Sequence, residues 1–133
     1  MHITLETDYA IRIVQCLVNA KKRLDAKTIS EQANVTLRFS LKILRKLVST
    51  GVIKSYKGTQ GGYELNRPAE EISLYDVVET IEGTYVFSRC LDSAYTCMQE
   101  EGTGCSCGFR DVFEDISETV REKLKAVHFA PVE

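Results

Sequence analysis

The sequence predicts a mostly α-helical fold with one small β-hairpin, ordered as a helix-turn-helix, a wing and a long C-terminal helix. Three observations predict it. Two short amphipathic segments are joined by only Asn34-Val35-Thr36, a glycine-containing turn at 57–62 separates two β-prone runs, and an apolar helical stripe runs from about 108 to 127. With 133 residues, 44% of them apolar, the chain is sized for one domain with a modest core. That size excludes a multi-domain enzyme and a fully disordered tail.

Ala10, Ile13, Val14, Leu17 and Val18 fall at helical spacing and predict a helix over about 6–20, with Cys16 near its buried face. Asp25 suits the cap of a second helix over 26–33 that stops at Asn34. Thr36 caps a third running to about Thr50 and closed by Gly51. So short a junction between two helices is the arrangement of a helix-turn-helix. On the third helix, Leu37, Leu41, Leu44, Leu47 and Val48 are expected in the core. Arg38, Lys42, Arg45 and Ser49 form a polar stripe suited to a phosphate-lined groove.

Runs 52–56 and 63–66 flank the turn, where Gly58, Gly61 and Gly62 permit positive φ and close approach to another molecule. A hairpin directly after a helix-turn-helix is a wing. The expected DNA-contacting set is therefore Thr36, Arg38, Ser40, Lys42 and Arg45 on the helix, with Lys57, Gly58, Thr59, Gln60 and Gly61 on the wing. Arg67-Pro68 then breaks the chain, and Ser73-Leu-Tyr-Asp76 resembles a capping box opening a helix to about Ile81, with Gly83 at its end. Phe109, Val112, Phe113, Ile116, Val120, Leu124 and Val127 give the last helix its stripe. Because a single winged helix reads one half-site, that helix is expected to form a homodimer contact.

Net charge supports a division of labour. The total of −2 hides a split: residues 1–68 hold 12 Lys and Arg against 5 Asp and Glu, whereas residues 69–133 hold 5 against 14. The halves are thus +7 and −9, which points to a polyanion at the first, DNA-binding half and a protein contact at the second. The expected division is 1–68 for the winged helix-turn-helix and 69–133 for a cysteine-loop sensor and dimerisation region, in one compact chain. The start lacks the basic end and apolar stretch of a signal peptide, and no apolar run approaches membrane-spanning length. A cytoplasmic location is expected, with no membrane partner.

Cys90, Cys97, Cys105 and Cys107 crowd eighteen positions. In a reducing compartment such clustering favours metal over disulfides. The spacing is neither that of a zinc ribbon nor that of a ferredoxin, so zinc and iron–sulfur both stand, with a thiol switch third. His2 and His128 are read as surface or packing residues. No histidine neighbours a nucleophile, and no glycine-rich phosphate loop follows a strand, so an enzyme is not expected.

Several stretches match a known family: Thr7-Asp-Tyr-Ala-Ile-Arg12, Ile29-Ser-Glu31, Leu44-Arg-Lys-Leu47 running into Gly51, Lys57-Gly-Thr-Gln-Gly-Gly-Tyr63, Asp76-Val-Val-Glu79 and the cysteine segment. From 1 to about 129 the chain resembles the Rrf-type family of winged-helix transcriptional regulators, and is similar to its IscR- and NsrR-type iron–sulfur sensors. The resemblance implies a transcriptional regulator, most simply a repressor, holding a 2Fe-2S or 4Fe-4S cluster that senses redox state, nitric oxide or cluster supply. It places Cys90, Cys97 and Cys107 in register with the three cluster cysteines, aligned through Phe113, and leaves Cys105 as an extra thiol. A histidine ligand of the IscR type is replaced by Arg110. Two candidates stand for the fourth ligand: Cys105, or Asp8 from the opposite subunit. The alternatives within the family are a cluster-free regulator using thiol switching or a protein partner, and a zinc-stabilised one.

Overall fold

The computed structural model describes residues 2–88, 91 and 108–132. Its element order is α1 (Leu5–Ala20), α2 (Ala26–Ala33), α3 (Leu37–Ser49), β1 (Ile53–Tyr56), β2 (Gly62–Leu65), a 3₁₀ turn (Ala69–Glu71), α4 (Leu74–Glu82) and α5 (Gly108–Ala126). Among the described residues, five α-helices and one hairpin make the expected mostly helical winged fold.

Local chemistry sets most of the boundaries. The side chains of Thr4, Asp25, Thr36 and Ser73 each accept a backbone amide three residues on, at the starts of α1, α2, α3 and α4. At α4 the box is reciprocal: Ser73 Oγ accepts from Asp76 N at 3.1 Å, and Asp76 Oδ2 accepts from Ser73 N at 2.9 Å. Hydrogen bonds from Thr28, side chain first and then backbone, hold the Asp25 carboxyl below the usual carboxylate range. A depressed carboxylate stabilises the fold above its unfolded-state pKa, and that contribution is lost as pH falls through the folded value. Asn34 ends α2 in the left-handed region at φ 56°, turning the chain within two residues into α3.

A single core joins the elements. Ile13 and Leu17 of α1, Ile29 of α2, Ile43, Leu44 and Leu47 of α3, and Ile53 of β1 are buried with Ile72, Val77 and Phe129. Burying each large aliphatic side chain is worth roughly 1.5–3 kcal/mol. Cys16 is the expected core thiol: its Sγ donates to Gln32 Oε1 at 3.2 Å, and burial pushes its pKa up.

Two expectations for α3 fail together. Leu37 and Leu41 are 45% and 39% exposed, while Ser40 and Ile43 are wholly buried. At about 100° per residue, Ser40, Ile43, Leu44 and Leu47 share the arc that faces the core, and Leu37 and Leu41 fall on its flank.

The hairpin is antiparallel with Ile53 opposite Leu65 and Tyr56 opposite Gly62. Leu24, between α1 and α2, adds an isolated antiparallel bridge to the hairpin: its N donates to Tyr63 O at 3.0 Å and its O accepts from Tyr63 N at 2.7 Å. The wing base is thereby welded to the first helix pair.

α5 packs on α4 along one side. Ser117 Oγ accepts from Phe87 N at 2.7 Å, Arg121 donates to Tyr85 O at 2.7 Å, and the Phe87 and Phe113 rings lie 5.5 Å apart. Ile116, Val120 and Leu124 are half-buried, whereas Phe109 and Val112 near the start of the helix stay open, 72% and 54% exposed. Beyond α5, residues 127–132 return across the reader as a strap. Leu74 N donates to Val127 O at 2.8 Å and Phe129 N to Ile72 O at 3.1 Å. Gln15 then donates to Ala130 O, and Asn19 accepts from Val132 N, both at 2.9 Å.

Candidate nucleic-acid interface

The third helix presents its cations outward because the opposite arc is committed to the core. Arg38, Lys42 and Arg45 are exposed, and among the described residues neither arginine forms an ion pair. Lys42 lies 3.9 Å from Glu6, a loose pairing. Lys46, off the stripe, makes the tight contact with Glu6 at 2.7 Å and locks α3 to the start of α1. Three neighbouring cations with only one distant carboxylate leave a surface poised for an anionic partner. Thr36 is exposed beside them, its hydroxyl accepting from Phe39 N at 3.3 Å as the cap.

Ser40 is corrected out of the contact set. It is wholly buried, and its Oγ has no hydrogen-bond partner. A side chain turned into the core cannot reach a groove on the far side of its helix.

On the wing, Lys57, Gly58, Thr59 and Gln60 are exposed and Gly61 partly so. Arg23, to which the sequence reading assigned no role, organises this element. Its guanidinium stacks 3.3 Å from the Tyr56 ring centroid and donates to Gln60 O at 2.9 Å. Tyr56 Oη donates to Glu64 at 2.6 Å, and Lys54 lies 3.6 Å from the same carboxylate. The hydrogen bond from Tyr56, with Lys54 and Arg23 adding positive charge, holds the Glu64 carboxyl below its ordinary range. The Lys21-Lys22-Arg23 run was the available sequence signal, but its stacking partner stands 33 positions away from Arg23.

Two wing glycines are required by sterics. A Cβ on Gly61 would stand 2.7 Å from Tyr56 O, and one on Gly62 (φ 145°) would stand 2.5 Å from Leu24 O. Gly58 also has positive φ, at 95°, but open space around it. Gly62→Ala should therefore cost about 2 kcal/mol and Gly58→Ala about 1 kcal/mol. Thermal unfolding of the two variants at equal concentration checks the order, and equal losses would refute the clash at Leu24.

The thiols Cys90, Cys97, Cys105 and Cys107 lie outside the described residues. The chain on both sides of them is held on α5, before by Tyr85 and Phe87 and after by Gly108, where the helix begins. Asp8 sits on α1, half exposed, with its carboxylate 2.8 Å from Arg12. Arg110 is exposed on α5. Among the described residues no three His, Cys, Asp or Glu side chains gather as a metal site, and no helix is long and apolar enough to cross a membrane.

The chain matches the Rrf2 family, described as an iron-dependent transcriptional regulator, over residues 3–132. Protein aau3 of Rhizobium meliloti is 29% identical over 123 residues, covering 91% of this chain and 80% of the relative. Among solved structures, IscR of T. potens superposes with a TM-score of 0.70 at 19% identity, over 96% of this chain and 82% of that one. CymR, titled the global cysteine regulator of B. subtilis, superposes with a TM-score of 0.72 at 21% identity, over 96% and 92%. At these identities the two structural likenesses establish the fold alone.

Proposed function

Since this chain belongs to the Rrf2 family of transcriptional regulators, and so is no enzyme, we propose that it is a homodimeric operator-binding repressor controlled by an iron–sulfur cluster. The observation that carries DNA binding is the outward face of α3, where Arg38 and Arg45 stand without ion pairs among the described residues, beside a braced wing. Two such helices in a two-fold dimer meet successive major grooves when they stand about 34 Å apart. The open apolar side of α5, with Phe109 and Val112 in water, supports a second copy as its cover.

The donor set fits a soft metal centre. Four thiols supply ligands that iron–sulfur and zinc favour, and Cys90, Cys97 and Cys107 with either Cys105 or the opposite subunit's Asp8 complete four. A cluster bound there would supply a centre whose charge and ligation change with oxidation, nitric oxide or loss. The chain's own residues carry that change onward. Tyr85 and Phe87, before the cysteine segment, bond to α5, α5 itself begins at Gly108 directly after it, and the far end of α5 is tied to α1 and α4. Asp8 is already engaged by Arg12, so its use as a ligand requires exchanging that partner.

Anaerobic purification followed by visible spectroscopy and iron and sulfide analysis tests this reading. A coloured protein is expected, losing its colour in either Cys105→Ser or Asp8→Asn but not both. A colourless chain with one zinc would replace the iron–sulfur reading with the zinc-stabilised one. A metal-free chain would favour thiol switching or a protein partner.

A further inference from the structure

We propose that Leu37 and Leu41 read thymine methyl groups in the major groove, making them specificity-determining residues of the operator contact; the proposal rests on the DNA-binding reading above. Both leucines were expected in the core, and both lie open on the surface of α3 instead. They are four residues apart, hence neighbours on one flank of the ridge formed by Arg38 and Arg45. Together with Arg38, Lys42 and Arg45 they line a shallow groove of about 600 Å³.

No acidic side chain lines this groove, so its charge is all of one sign. A protein partner with a purely apolar surface would leave Arg38 and Arg45 beside the contact without counter-charge, and Lys42 with only the loose pairing to Glu6. A duplex satisfies both halves at once, with phosphates for the cations and an apolar group for the leucines. In the major groove that apolar group is the C5-methyl of thymine, which cytosine, adenine and guanine lack. Phe39 does not compete for this role: it sits on the opposite flank, edge-on to Tyr9 with ring centroids 5.7 Å apart.

The test uses the full chain, isolated anaerobically and also after chelation, to enrich duplexes from a random library. The enriched duplex is then resynthesised with deoxyuridine for thymidine, which keeps pairing and removes only the methyl. For the wild-type chain, affinity should fall about fourfold for each methyl contacted. The Leu37→Ala/Leu41→Ala variant should bind the thymine duplex more weakly and treat the uracil duplex alike, whereas Leu41→Met should keep the discrimination. Equal binding of both duplexes by the wild type would overturn the proposal, and that comparison needs no variant to fold. Full discrimination retained by the double-alanine variant would overturn it too. Failure to enrich any duplex would remove the DNA-binding reading itself, and a protein captured at this groove in competition with DNA would replace thymine as its occupant.

Discussion

Replacing Arg38 and Arg45 together by alanine should weaken operator binding by about a hundredfold or more near physiological salt and flatten its salt dependence. Each phosphate contact contributes about 0.9 to the slope of log affinity against log salt. Four arginines in the proposed dimer, each on a phosphate, would therefore remove between three and four units. The fold should barely notice, because both side chains are exposed and neither forms an ion pair among the described residues. Surface changes of this kind usually fall within about 0.5 kcal/mol, and relief of repulsion among Arg38, Lys42 and Arg45 acts in the stabilising direction. Lys46→Ala is the contrasting control. It should leave the slope nearly unchanged and cost stability, since Lys46 pairs with Glu6 at 2.7 Å. Titrations at several salt concentrations decide the matter: an unchanged slope in the double-arginine variant would take both residues off the phosphate backbone.

Those arginines were legible in the sequence because a cation stripe at helical spacing needs no knowledge of the neighbours. The leucines beside them were not. Seven apolar residues cover much of α3, and the ladder Leu37, Leu41, Leu44, Val48 looks as periodic as the true core ladder of Ser40, Ile43, Leu44 and Leu47. The polar Ser40 masked the real one. Only the placement of the other helices decides which arc is covered, and that placement is tertiary information. Caps read well for the opposite reason, since Asp25, Thr36 and Ser73 each bond within three residues of themselves. Arg23 escaped because its role depends on Tyr56 across the hairpin, and the cysteine segment could be identified by donor chemistry but not placed.

The strap was the least legible element, and its buried side chain leads to the second large effect. Phe129→Ala should lower stability by about 3 kcal/mol, the range for removing a buried aromatic side chain. In a domain of this size that corresponds to a fall of about 10 °C in Tm at fixed protein concentration. Nothing in the segment Val127-His-Phe-Ala-Pro-Val132 is periodic, yet Phe129 belongs to the same core as Ile13 and Ile72. Its neighbours bond outward on both sides, Val127 O to Leu74 N and Ala130 O to Gln15. α5, 19 residues and so about 28 Å long, then behaves as a rod with the cysteine segment at one end and this anchor at the other. Any reorientation of the rod reaches α1 and α4 through the strap, so if DNA affinity depends on metal state, as proposed above, the variant should also lose much of that dependence. Gln15→Ala with Asn19→Ala removes the two side-chain hydrogen bonds to the strap, and the one between Gln15 and Asn19, while keeping Phe129, and should give a smaller fall in Tm. A Tm within about 2 °C of wild type for Phe129→Ala would show that the strap packs without bearing on the fold. Metal-dependent affinity retained in a folded Phe129→Ala chain would instead place the coupling elsewhere, most directly in the contacts of Ser117 and Arg121 on α5 with Phe87 and Tyr85, in the segment that follows α4.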